Sequence, residues 1–191
     1  MKLWAGLVAI LLLSGCGYNE MQKNDEAVGA AWGNVQSALQ RRMDLIPNLV
    51  ETVKGYATHE KDTLQAVVDA RAKATQMKLS VDALSDAHAV ESFMKAQSDV
   101  SSALARLLAV VENYPDLKAN QNFLDLQHQL EGTENRINVA RERFNEAVQT
   151  YNTSIRTFPN SLTNSMLLHL NPKEYFKADE AAASPPKVKF N

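Results

Sequence analysis

Few residues in this chain could do chemistry, and their spacing limits what they could do. Histidine stands near glutamate in His59-Glu60, in His88 with Glu91 and in His128 with Glu131. The first begins like the H-E-x-x-H helix of zinc hydrolases, but position 63 is Thr and the second imidazole is missing. The other two run His-x-x-Glu, the reverse of the inward Glu-x-x-His pairs that build di-iron sites in bundles. By helical register they fall off the apolar stripes and read as solvated surface. No G-x-S-x-G elbow, G-x-G-x-x-G turn or phosphate loop occurs. With 4 scattered histidines and 1 cysteine there is no metal-ligand pattern. The expectation is a protein that is not an enzyme and takes neither metal nor cofactor. A hydrolase whose carboxylates converge from different helices is the alternative.

The lone cysteine carries the one clear covalent signal. Lys2 precedes an apolar run, "LWAGLVAILLL" (3–13), that is too short for a permanent bilayer span. Leu13-Ser14-Gly15-Cys16 follows, small residues directly before a cysteine, in the manner of a bacterial lipobox. Residues 1–15 then read as a lipoprotein signal peptide, and Cys16 as the lipidated first residue of the mature chain. An uncleaved signal anchor or an ordinary signal peptide is the alternative. Cys16 being the only cysteine, the mature chain would have no disulfide and no thiol nucleophile. Two or three acyl chains, as on such a cysteine, hold a protein stably at a membrane. The expected location is extracytoplasmic: the outer membrane facing the periplasm in a Gram-negative cell, where Gly17 rather than Asp follows the cysteine, or otherwise the outer face of the cell membrane. Residues 16–22 would be a short lipidated tether, reaching about 20 Å if extended.

What positions these groups must be helical. The 191 residues suit one domain, 45% of them are apolar, and 7 Gly with 6 Pro leave little for loops. A net charge of −2 gives no electrostatic case for nucleic acid. Apolar residues recur at three- and four-residue steps in four runs, about 22–42, 45–76, 81–114 and 119–157. In the last run, Phe123, Leu130, Ile137, Phe144, Tyr151 and Phe158 form one seven-residue column, and Leu126, Thr133, Ala140, Ala147 and Ser154 its smaller companion. Large facing small is how close helices interdigitate. The expected architecture is an all-α, antiparallel four-helix bundle over 23–158, with long coiled-coil-like helices. An apolar segment and a polar tail occupy 159–191, and the segment packs either on the bundle end or against a partner or membrane.

The stretch "RRMDLIPN" (41–48) sets the topology. A proline inside a helix lacks the N–H for residue i−4, here Met43, and crowds its carbonyl. The better fit is a corner: Arg41 and Arg42 end the first helix, and Asp44 caps the second with Pro47 in its first turn. Asn48 as cap with Glu51 is an equal variant, and a kinked continuous helix the alternative. "YPDLKAN" (114–120) makes the third-to-fourth connection, with Pro115 as breaker and Asn120 as cap. On the second helix, Glu60 and Arg71 fall on the seam, either at its edge or as a buried ion pair that sets register.

These stretches also carry a resemblance. "RRMDLIPNLVETVKGYATHEK" (41–61), "ENYPDLKANQNFLDLQHQLEGTENRINVAR" (112–141), "FNEAVQTYNTSIRTFP" (144–159) and "PKVKF" (186–190), in that order, resemble the LemA family over nearly the whole mature chain. The resemblance implies a helical bundle of the bacterial envelope with no established catalytic residues. Members often carry one N-terminal transmembrane helix, where this chain has a lipobox. Likeness to a magnetosome membrane protein, and association with envelope zinc peptidases, imply a scaffold or adaptor role; a binding module for peptide, lipid or cell-wall ligands is the alternative. Residues matching the family motifs include Arg41, Arg42, Asp44, Pro47, Asn48, Glu60, Arg71, Pro115, Glu134 and Arg141. In up-down order the two connections share one end. The expectation is that this end docks an envelope protein, with Arg41, Arg42 and Asp44 at its centre.

Overall fold

A computed structural model describes residues 2–177, with side chains from Gly17 onward. The Cys16 side chain and the tail from residue 178, "KVKF" included, lie outside the described residues. The fold is an all-α bundle, with no strand among the described residues. Its long members are α1 (Lys2–Lys54), α2 (Lys61–Gln76), α3 (Ala87–Val111) and α5 (Gln121–Arg156). A 3-10 turn (Asp82–Ser85) leads into α3, and the short α4 (Pro115–Lys118) sits between α3 and α5. After α5 come α6 (Asn160–Thr163) and one π-helical turn (Asn164–Leu168). The closest packing runs along α1 with α5 and α2 with α3.

The expected corner at 41–48 is not there. α1 runs through Pro47 as a single helix of 53 residues, about 80 Å at 1.5 Å per residue. Val28, Trp32, Val35, Leu39, Arg42, Ile46, Leu49 and Val53 are all buried, at alternating steps of four and three that continue across the proline. Pro47 itself faces solvent. The carbonyl it deprives of a partner, that of Met43, instead accepts a 2.9 Å hydrogen bond from Arg71 Nε on α2. Neither candidate cap acts as one: Asp44 accepts from Gln40 Nε2 one turn back, at 2.7 Å, and the Asn48 carbonyl from Thr52 Oγ1 at 2.8 Å. The reversal comes at residues 55–60, so the up-down order survives with a longer first helix and a shorter second.

A second correction concerns residues 17–22, expected as an extended tether. They are helical turns of α1, and Met21 is fully buried. Gly17 is needed at its position, because a Cβ there would meet the Asn160 side chain of α6 within 2.2 Å.

α5 follows its sequence pattern. Phe123, Leu130, Ile137, Phe144 and Tyr151 are buried, as are Thr133, Ala140 and Ser154 in the smaller column. The column's last member, Phe158, lies beyond the helix and is 84% exposed. Asn120 caps α5 by accepting from the Phe123 N–H at 3.1 Å, and Asp86 caps α3 through His88 and Ala89.

The core falls into two apolar clusters. One gathers Met43, Ile46, Leu49 and Val53 of α1 with Leu64, Val67, Val100, Leu104, Leu107, Phe123 and Leu130. The other surrounds Trp32, whose ring meets Phe93, Phe144 and Phe176 at centroid distances of 5.4, 5.7 and 5.8 Å. On α1 the boundary falls between Leu39 and Met43, and on α5 between Leu130 and Ile137. Arg42 and Glu134 occupy those gaps.

Candidate functional site

Arg42 is 3% exposed and ties three helices together at the boundary between the two cores. Its Nη1 donates to Ser101 Oγ of α3 at 2.9 Å and to Glu134 Oε2 of α5 at 3.1 Å. Nη2 donates to the Gln97 side-chain oxygen at 2.8 Å and to the Gln97 carbonyl at 3.3 Å. Burial pulls the guanidinium pKa below its ordinary value, and Glu134 partly offsets this; an arginine nonetheless keeps its charge at any physiological pH. Nε is the single buried side-chain polar atom among the described residues without a protein partner. Arg42, Gln97, Ser98, Ser101, Glu134 and Arg141 help line a recess of about 50 Å³. That is room for a few waters, far below the ~300–1,000 Å³ of a small-molecule site.

Of the three residues expected at one docking centre, only two face outward. Arg41 is exposed and donates to Gln129 Oε1 of α5 at 3.1 Å, and Asp44 is exposed one turn on. Arg42 points the other way, into the layer just described. The end shared by two connections does exist, but it is built from residues 55–60 and 112–120. There Tyr114 Oη donates to Glu60 Oε1 at 2.9 Å and Asn120 Nδ2 to Tyr56 Oη at 2.9 Å. The bond to Glu60, ahead of burial, holds the Tyr114 phenol above its ordinary pKa. Glu60 and Arg71 therefore form no ion pair with each other: one secures the bundle end, the other the Met43 carbonyl. Pro115 stands at the first turn of α4.

Arg41 instead belongs to an outward groove between α1 and α5. It joins Arg136 and Arg143, with Asn34, Ser37, Asn135 and the 45%-exposed Val139, around an open volume of about 510 Å³. Three arginines line this groove and no carboxylate does.

The chain after the π turn docks on the bundle. Asn145 and Asn152, seven residues apart on α5, each clasp one strap residue at both backbone groups. Asn145 donates to the Phe176 carbonyl and accepts from its N–H, both at 2.9 Å. Asn152 does the same for Lys173, also at 2.9 Å. Tyr151 Oη donates to the Asn171 carbonyl at 3.1 Å, and Arg141 Nη2 to the Lys177 carbonyl at 2.7 Å while stacking over the Phe176 ring. Lys173 Nζ reaches Asp25 of α1 at 2.7 Å. Burial, with the Asp25 charge adding to it, pushes the Tyr151 phenol up to about 12. Thus Phe176 of the apolar segment stays with the bundle and completes the cluster around Trp32, while the Tyr175 side chain is 41% exposed.

The histidine–glutamate pairs offer nothing further. His88, Glu91, His128 and Glu131 are exposed, and no three metal-ligating side chains gather among the described residues. The LemA family model matches residues 31–190, the greater part of the chain. The chain belongs to the LemA family. A curated relative, Protein LemA of Metamycoplasma hominis, is 25% identical over 119 residues. That match takes in 62% of this chain and 50% of the relative, so the chain spans about half the length of the curated relative it matches.

Two features of this LemA fold went unread in the sequence although a signal was present. Continuing the four-three rhythm of Val28, Trp32, Val35 and Leu39 lands on Arg42 and then Ile46, which marks Arg42 as inward and α1 as unbroken. The seven-residue repeat of Asn145 and Asn152 marks one face of α5 as a backbone clasp.

Proposed function

We propose that this LemA protein is a non-enzymatic adaptor of the bacterial envelope, held at a membrane by acyl chains on Cys16, and that it grips an acidic segment of a partner protein in the α1–α5 groove. The observation that carries the reading is the groove lining: Arg41, Arg136 and Arg143 without an opposing carboxylate, on two helices fixed to each other along their length. Guanidinium forks match carboxylates in pairs, and rigid helices hold such a constellation better than loops. The Arg42 recess itself accommodates little beyond water, which argues against a substrate site there. Arg42 acts here as the pin that keeps α1 and α5 in register under the groove, and Asp44 lines a separate open pocket that shares Arg41 and Ser37 with it. The lipobox at residues 13–16 supports the tether, and with it an extracytoplasmic position.

The test is mild crosslinking in cells, followed by purification of the acylated full-length protein. The Arg41→Glu/Arg136→Glu/Arg143→Glu variant should lose the captured protein at least tenfold, with unchanged helicity and an unchanged acyl mass on Cys16. Undiminished capture would end the groove reading, and a Cys16 without acyl mass would end the tether.

A further inference from the structure

Phe158, Leu162, Met166 and Leu167 are 84%, 55%, 68% and 69% exposed. They follow one another within ten positions, on the cis-proline turn, α6 and the π turn. Elsewhere among the described residues the large exposed apolar side chains, Tyr18, Tyr56, Val68, Val139 and Tyr175, stand singly in the sequence. Between Arg156 and Lys173 there is no Asp, Glu, Lys or Arg at all. The accompanying polar groups are the hydroxyls of Ser161, Thr163 and Ser165, the amides of Asn160 and Asn164, the latter occupied by both backbone groups of Leu170, and the exposed imidazole of His169 just past the ridge. An apolar ridge without charge is unusual on a water-facing surface and suits the boundary between headgroups and acyl chains.

Its place in the fold says what covers it. Asn160, near the start of the ridge segment, lies against Gly17 and donates to Glu20 Oε2 at 3.3 Å. The ridge therefore stands beside the first residue after Cys16, in the N-terminal part of α1 shortly after the apolar run 3–13. Tyr18, 44% exposed, is one residue further on, an aromatic of the kind that settles at membrane interfaces. The end formed by residues 55–60 lies some 37 residues along α1, about 55 Å away at 1.5 Å per residue.

We propose that Phe158, Leu162, Met166 and Leu167 insert into the phospholipid surface that holds the N-terminus, giving the bundle a second membrane contact beside the first. This rests on the membrane tether proposed above and deepens it. A protein held by acyl chains alone would swivel about Cys16. With the ridge seated, α1 leaves the surface in one orientation, and the Arg42 layer and the arginine groove stand at a fixed height above it.

The test uses the full-length acylated chain with the photoreactive residue p-benzoylphenylalanine in place of Leu162, of Met166 or, for comparison, of Val68, which is 42% exposed on α2. Each protein is reconstituted into vesicles of phosphatidylethanolamine and phosphatidylglycerol, irradiated and weighed. Phospholipid adducts at 162 and 166 should exceed those at 68 at least tenfold. If the protein floats with the vesicles but 162 and 166 give no more lipid adduct than 68, or crosslink to a second copy instead, the ridge proposal is wrong and the tether stands. A protein that does not float with the vesicles overturns both.

Discussion

Arg42 is held by four hydrogen bonds, one to Ser101, one to Glu134 and two to Gln97. Removing one partner of a buried charge pair is costly, ~3–5 kcal/mol where both are buried. Glu134 is about half exposed and can turn to water, so the lower figure applies to Arg42→Ala. A loss of ~3 kcal/mol lowers the melting temperature of a chain this size by ~6–12 °C. Glu134→Gln keeps the Gln97 and Ser101 bonds and should lose less, ~1–2 kcal/mol. Thermal unfolding followed by circular dichroism checks both, and the reverse order would contradict the network as described. A second residue-scale prediction concerns pH. The Tyr151 phenol is raised to about 12 from an ordinary value near ~10. The folded state therefore holds the proton that the unfolded chain gives up first. The stability Tyr151 contributes is present below pH ~10 and is lost as pH rises toward 12. Denaturant titrations at pH 9 and pH 11 should show a smaller alkaline loss for Tyr151→Phe than for the parent. Equal losses would mean the phenol is not sequestered.

At the scale of elements, the long helix α1 depends on a side chain that is not its own. A proline in a helix interior is unfavourable by ~3 kcal/mol, and here Arg71 recovers part of that at the Met43 carbonyl. The expected outcome is a coupled pair. Arg71→Met should destabilise by ~1–2 kcal/mol when Pro47 is present. In a Pro47→Ala background, where the substituted residue supplies its own backbone N–H to the Met43 carbonyl, the same change should matter at least twofold less. A denaturant double-mutant cycle measures this, and simple additivity would refute it. This is also where sequence reasoning reached its limit. Asp44, Pro47 and Asn48 satisfy the local rules for a corner, and the group that decides otherwise comes from another helix. α5 was legible because its information is periodic and self-contained: large and small columns, Asn120 ahead of it, Pro115 before that. The strap at 171–177 was not, since α5 side chains hold it by its backbone groups, which leave no signature in its own residue types. Asn145→Ala/Asn152→Ala should free it, and amide hydrogen exchange at Phe176 should speed up at least tenfold.

For the whole molecule, two cores meet at one polar layer, and the surface divides into a groove of arginines and an uncharged ridge. The composition indicated a bundle with no catalytic pattern, and LemA membership agrees with the bundle. It did not indicate which arginines face outward, because Arg41 and Arg42 are neighbours and only the register of a helix longer than expected separates them. The most direct measurement places p-benzoylphenylalanine at Val139, an exposed residue of the groove lining, and irradiates living cells. The expected result is an adduct to one envelope protein, mapped to an acidic segment, that falls at least tenfold in the Arg41→Glu/Arg136→Glu/Arg143→Glu background. An adduct of equal yield in that background, or none in the parent, would contradict it.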